Sequence, residues 1–179
     1  DAPVSSATGA APAAGESLRV ALALAEAAQT ASSLGTALIR VGTVLQSFLH
    51  AHAVVRLRVD GWNGETALIR PWGEAASGGV DHIDVTSLGT LRRGDQPAGA
   101  ALAGLRATAA GLPDSGADWP AWRPRNVRHC IAIPVSVDGT PTAMLEIYDA
   151  RGFDDLASQS VLELARIQLA FVAQREASR

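Results

Sequence analysis

A chain of 179 residues, 47% hydrophobic and 18% charged, reads as one ordinary globular domain with modest tails, long enough to bury a core without staples. Its net charge of -3 leaves no electrostatic footprint for nucleic acid or an anionic membrane. One cysteine, Cys130, excludes an internal disulfide framework and any multi-cysteine metal site, and it fits a reducing, cytoplasmic compartment.

All 15 basic residues are arginine, which in so alanine-rich a chain reads as base composition rather than phosphate binding. No apolar run reaches the length that spans a bilayer. The start, DAPVSSATGAAPAAG, lacks the charged leader and apolar core of a signal peptide. It also lacks an initiator methionine, so the chain reads as a piece of a longer protein.

Residues 1–15 are dominated by Ala, Pro, Ser and Gly, bury too little to order themselves, and are predicted to be a flexible tail before one domain over 16–179. A helix begins near Glu16, with Leu18, Leu22, Ala25 and Gln29 on one face and Val20, Leu24 and Ala27 beside it. Ser32 or Ser33 offers an N-cap for a second helix running to about Leu49, striped by Leu34, Leu38, Val41, Leu45 and Leu49. Gly35 and Gly42 weaken that helix or let it pack closely.

From His52 the period becomes two. Val55, Leu57 and Val59 alternate with Arg56, Arg58 and Asp60, the pattern of a half-buried strand. Gly61 to Gly64 is a turn, and Glu65 to Trp72 completes a hairpin. The stretch from Gly73 to Asn126 is predicted to hold a short strand at His82–Val85 and a helix around Gln96–Ala110. From Gly111 it is rich in Gly, Pro, Asp and Trp, and long irregular stretches are often functional.

Ile131, Ile133, Val135 and Val137 then alternate with Cys130, Ala132 and Ser136. Pro134 belongs at an edge or bulge, because it cannot donate to a sheet ladder. Asp138-Gly139 is a hairpin turn, after which Ala143, Leu145 and Ile147 alternate with Met144, Glu146 and Tyr148. Asp154 or Asp155 caps a last helix. Leu156, Leu162, Ala165, Leu169 and Val172 form its buried face, and Val161, Leu164, Ile167 and Phe171 widen it enough to meet both a sheet and a second helix.

The order helix, helix, strand, hairpin, variable middle, strand, hairpin, strand, helix resembles a GAF domain from about Glu16 to Glu176. Ile133-Pro134-Val135, Gly139, Met144-Leu145-Glu146-Ile147 and Arg151-Gly152-Phe153 ahead of Asp154 carry the resemblance. It implies an α+β fold, GAF-like and PAS-related, with a central antiparallel sheet flanked by N- and C-terminal helices. It also implies a regulatory sensor of bacterial signalling that binds a small ligand, pairs as a homodimer through its terminal helices, and controls a covalently linked output domain. A degenerate member would instead be a scaffold for a partner protein, its pocket filled by its own side chains such as Trp119 and Trp122.

No Gly-rich phosphate loop, Ser-His-Asp order or metalloprotease helix motif is present, so the domain reads as non-enzymatic. Among the chemistries of the resembled family, the cyclic-nucleotide motif includes a lysine that this chain lacks. Bilin attachment uses a loop or helix cysteine, whereas Cys130 begins a strand, and the sulfoxide reductases need more than one cysteine. Nitric-oxide-sensing members hold a mononuclear iron. The residues here that would correspond are Arg92 or Arg93, Asp114, Asp118, Cys130 and Asp149, a carboxylate and thiolate set suited to ferrous iron. The plainer reading makes the aspartates loop caps and Cys130 a small core residue.

Trp119 and Trp122 are candidates for a stacking platform or for lid packing. Arg123, Arg125 and Arg128 are either a solvated run or a clamp for an anionic ligand. His50 and His52 solvate a junction, while His82 and His129 are placed to reach a pocket.

Overall fold

The structure, a computed structural model, describes residues 14–72, 76–77, 89–151 and 154–179. Helix α1 spans Ala14–Gln29 and α2 spans Leu34–Phe48. Ser33 holds extended dihedrals (φ -151°, ψ 164°), and its hydroxyl accepts from the Thr36 N–H at 3.2 Å, satisfying a donor that the helix start leaves orphaned. The glycines of α2 permit close packing: a Cβ at Gly42 would stand 3.1 Å from Val54 Cγ1, and one at Gly35 2.9 Å from Trp72 Nε1.

Strands β1 (Ala53–Asp60), β2 (Thr66–Pro71), β3 (Ala76–Ser77), β4 (Gly89–Arg92), β5 (Thr108–Gly111), β6 (His129–Val137) and β7 (Thr140–Tyr148) form one antiparallel sheet. Its order is β4-β2-β1-β7-β6-β5, with β3 paired to the start of β1. Helix α3 (Ala98–Gly104) and the long α4 (Leu156–Ala177) complete the chain. Asp138 and Gly139 both have positive φ (51° and 81°), the primed geometry that suits a tight hairpin between β6 and β7. Pro134 sits beyond the reach of β5, which pairs β6 only as far as Ala132, and beside the register shift at Val135/Ser136.

The period-two pattern sorts the core into two layers. Ile131, Ile133 and Val135 of β6 and Ala143, Leu145 and Ile147 of β7 face α1, α2 and α4, joining Leu38, Val41, Leu45, Leu162, Ala165 and Leu169. Val55, Leu57 and Val59 of β1 face the other way, with Ile69, Leu91, Leu102, Trp122, Cys130, Met144 and Tyr148. The sheet is thus covered by helices on one face and by α3 and the 112–128 segment on the other.

Several expectations are corrected. The helix predicted over Gln96–Ala110 ends at Gly104, where Leu105 turns left-handed (φ 53°), and Thr108–Gly111 is a strand. The backbone groups on the open edge of β6 drew that segment into the sheet, where a helix would have left them unpaired. Leu156 is 81% exposed rather than buried, because it opens α4 directly after the Asp155 N-cap. Leu18 and Leu22 (both 63%) and Phe171 (65%) also face outward.

Residues 1–13 of the predicted tail, the His82–Val85 strand and Gly152-Phe153 lie outside the described residues, and Ala14 and Gly15 open α1. No helix among the described residues is long and apolar enough to cross a membrane.

Candidate functional site

Glu146 is fully buried on the face of β7 away from the helices, and its carboxylate collects four donors. The Tyr148 hydroxyl donates to Oε1 at 2.7 Å and the Trp122 indole N–H to the same oxygen at 2.9 Å. Arg123 Nη2 and the Cys130 thiol donate to Oε2 at 3.5 and 3.4 Å. Arg123 Nε also donates to the Tyr148 oxygen at 3.4 Å. The Arg123–Glu146 ion pair is almost wholly desolvated, the two side chains being 6% and 0% exposed.

The sheet fixes half of this constellation. Tyr148 lies two residues after Glu146 on one strand face, and Cys130 of β6 is directly opposite Tyr148. Trp122 and Arg123 arrive from the 112–128 segment, which crosses the sheet. The Trp122 ring rests on β4, where a Cβ at Gly89 would stand 2.3 Å from Cζ3. Gly89→Ala is therefore expected to displace the indole and to destabilise the fold by about 1–3 kcal/mol, the usual cost of overpacking, measured by urea unfolding.

Trp119 is half-buried, donates its indole N–H to the carbonyls of Arg123 and Pro124 at 3.1 Å, and has the Arg123 guanidinium 5.5 Å from its ring centroid. Outside these side chains lies an open cleft of about 790 Å³ lined by Arg92, Asp95, Asp114, Asp118, Trp119 and Trp122, among others.

Burial disfavours the charge on three of these groups, and their neighbours decide the outcome. Desolvation, then the negative Glu146, push the Cys130 thiol and the Tyr148 phenol well above their ordinary values of 9.0 and 10.0. Desolvation lowers the Arg123 pKa, but attraction to Glu146, followed by Tyr148, outweighs it and keeps the guanidinium charged. The folded protein thus retains protons that the unfolded chain releases in alkali. The stability these two acids contribute is complete below their ordinary values and is lost as pH rises through the folded ones. The denaturation midpoint is expected to fall steadily above about pH 9, and less steeply in Tyr148→Phe, as followed by circular dichroism at a series of pH values.

The predicted site residues divide. Trp119, Trp122, Arg123 and Cys130 come together, while Arg125 and Arg128 are exposed and do not join Arg123 in a clamp. The iron set is not assembled either. Asp114 and Asp118 are exposed on the cleft, and Asp149 Oδ1 accepts from the backbone N–H groups of Arg128 and His129 at 2.8 and 2.9 Å. Cys130 is buried under Glu146, and among the described residues no three His, Cys, Asp or Glu side chains could hold a metal ion together. The donors present therefore do not fit a mononuclear iron centre.

Arg92 lines the cleft and Arg93 approaches Glu65. His129 is exposed, His50 and His52 flank the α2–β1 junction, and His82 lies outside the described residues.

Sequence reasoning did not single out Glu146 and Tyr148. The signal was in the alternation itself: both share parity with Met144, opposite Leu145 and Ile147, on the strand face that also carries Cys130.

No family profile and no curated protein matches the sequence. Solved structures do match in shape. Free methionine-R-sulfoxide reductase from Neisseria meningitidis, in complex with its substrate, is similar at TM-score 0.64 and 18% identity, over 94% of this chain and 95% of that one. The GAF domain of a phosphoenolpyruvate-protein phosphotransferase from Coxiella burnetii is similar at TM-score 0.62 and 16% identity, over 90% and 95%. The A. aeolicus nlh2 GAF domain in an inactive state is similar at TM-score 0.57 and 13% identity, over 90% and 97%. The chain has the α+β fold of GAF domains.

Proposed function

We propose that this GAF-fold chain is a regulatory, non-catalytic module of a larger signalling protein. It binds a small ligand beneath the 112–128 segment and relays occupancy to its helical layer and an attached output domain. The observation that carries this reading is the Glu146 cluster beside its open cleft. The donors there are turned onto one carboxylate and the lone thiol is held protonated, so the face offers recognition groups without a free nucleophile or base. The fold is shared with a domain of a methyl-accepting chemotaxis protein, which supports the same class.

A thermal-shift screen of nucleotides, amino acids and organic cations tests it. A true ligand at about 100 times its Kd adds about 2.7 kcal/mol of stability. Silence across a broad screen would count against sensing and for the second reading, a scaffold whose pocket is closed by its own side chains. The burial of Trp122 to 2% exposure favours that alternative.

The helical layer bears on the partner. Leu18 and Leu22 of α1 and Ile167 and Phe171 of α4 expose apolar surface on two adjoining helices, which supports pairing with a second copy. Sedimentation equilibrium is expected to show a dimer that Leu22→Glu with Phe171→Glu converts to a monomer. A wild-type monomer at every concentration up to about 1 mM, near the weak end of specific association, would remove the dimer from the proposal.

A further inference from the structure

Trp122 and Arg123 differ from the rest of the cluster in how they are held. Glu146, Tyr148 and Cys130 are fixed by strand register. The other two belong to a segment bonded mainly to itself, with Trp119 N–H donating to Gly116 O at 3.0 Å, Arg123 N–H to Pro120 O at 3.1 Å, and the Trp119 indole to the Arg123 and Pro124 carbonyls. Among the described residues, the hydrogen bonds tying 113–127 to the rest of the chain come from the Trp122 and Arg123 side chains. Its attachment to the sheet thus rests on these side-chain bonds and on the packing of Trp122 and Val127, and the 790 Å³ cleft runs along its outer side.

We infer that Trp122 and Arg123 are a tethered occupant of the recognition site, displaced by a ligand of matching chemistry: a flat cation with N–H donors, such as an amidinium, a guanidinium or a protonated aromatic amine. This rests on the ligand-binding reading above and specifies its ligand class and its regulation. The chemistry follows from what the two residues leave behind. Glu146 is fully buried, so losing the Arg123 charge without replacement strands a carboxylate in a desolvated site. A neutral or anionic ligand leaves it so, whereas a cation restores the balance. The seat against Gly89 accepts a flat ring, and Oε1 at 2.9 Å accepts its N–H. Tyr148 and Cys130 stay as the fixed floor.

Benzamidine, a flat ring bearing an amidinium, is the probe, and benzoate, the same ring with opposite charge, is its control. Calorimetric titration of the full chain is expected to show benzamidine binding Trp122→Ala at least tenfold more tightly than wild type, because the indole no longer competes for the ring's seat and for Oε1. Benzoate should bind neither, and Glu146→Gln should weaken benzamidine at least tenfold. Trp122→Leu, which keeps part of the apolar packing but frees Oε1 and most of the ring's seat against Gly89, should tighten binding in the same direction and serves if Trp122→Ala does not fold.

In wild type, saturating benzamidine should speed hydrogen exchange across 113–127 while β6 and β7 stay protected. Equal affinity for wild type and the two Trp122 variants, binding that survives Glu146→Gln, a preference for benzoate, or unchanged exchange in 113–127 overturns the inference. Ligands of other chemistry emerging from the wider screen would overturn it too, while leaving the regulatory reading in place.

Discussion

Glu146→Ala is expected to lower the free energy of unfolding by about 3–5 kcal/mol, because it leaves the Arg123 guanidinium buried with no countercharge. The midpoint of thermal unfolding should fall by roughly 6–20 °C at this chain length. The pair is 6% and 0% exposed, so solvent cannot take over for the lost carboxylate, and the Trp122 and Tyr148 donors lose their shared acceptor as well.

The loss belongs to the broken pair rather than to the pair's net worth. A double variant, Glu146→Leu with Arg123→Met, removes both charges and both desolvation costs. It should recover most of the stability. Additive losses in the double variant, read by urea unfolding, would show that the two groups do not act as a pair.

Trp122→Ala is expected to cost about 3–5 kcal/mol, the range for deleting a large buried aromatic side chain. The indole is 2% exposed, rests on β4 at Gly89 and donates to Glu146, so both packing and a charge-assisted hydrogen bond are lost. Trp122→Phe separates the two. It keeps most of the apolar bulk and removes the N–H, and should cost about 1.5–3 kcal/mol, the worth of a hydrogen bond to a charged group. Trp119→Phe is the contrast: its indole N–H bonds only carbonyls of its own segment, so the loss should be smaller than at Trp122. Equal losses at the two positions would mean that the segment, and not the Glu146 contact, sets the stability.

The two tryptophans show what a sequence reading can reach. Both were visible as candidates in a Gly- and Pro-rich stretch, but nothing local says which one enters the core. Trp122 reaches Glu146 across 24 residues, and Arg123 reaches it across 23, whereas Arg125, two positions on, faces solvent. Such pairings depend on the path of an irregular segment over the sheet, and no periodicity encodes that path. The helix expected through Ala110 failed for a related reason: the open edge of β6 offered hydrogen bonds that outweighed local helix preference.

Where the pattern was periodic, the residues themselves decided the structure. The alternation of β6 and β7, the Asp138-Gly139 turn, the Ser33 and Asp155 caps and the α2 stripe are short-range features, and each follows from side-chain chemistry within a few residues. They determined the two hairpin-linked strands, the flanking helices and hence the fold class. Tertiary structure decided what lies on the other face of that sheet: a buried carboxylate clasped by an indole and a guanidinium from a distant segment. The physical reason is that burial and charge compensation are properties of the packed whole. Glu146 on an alternating strand is only a polar residue until the chain above it excludes water and supplies its countercharge.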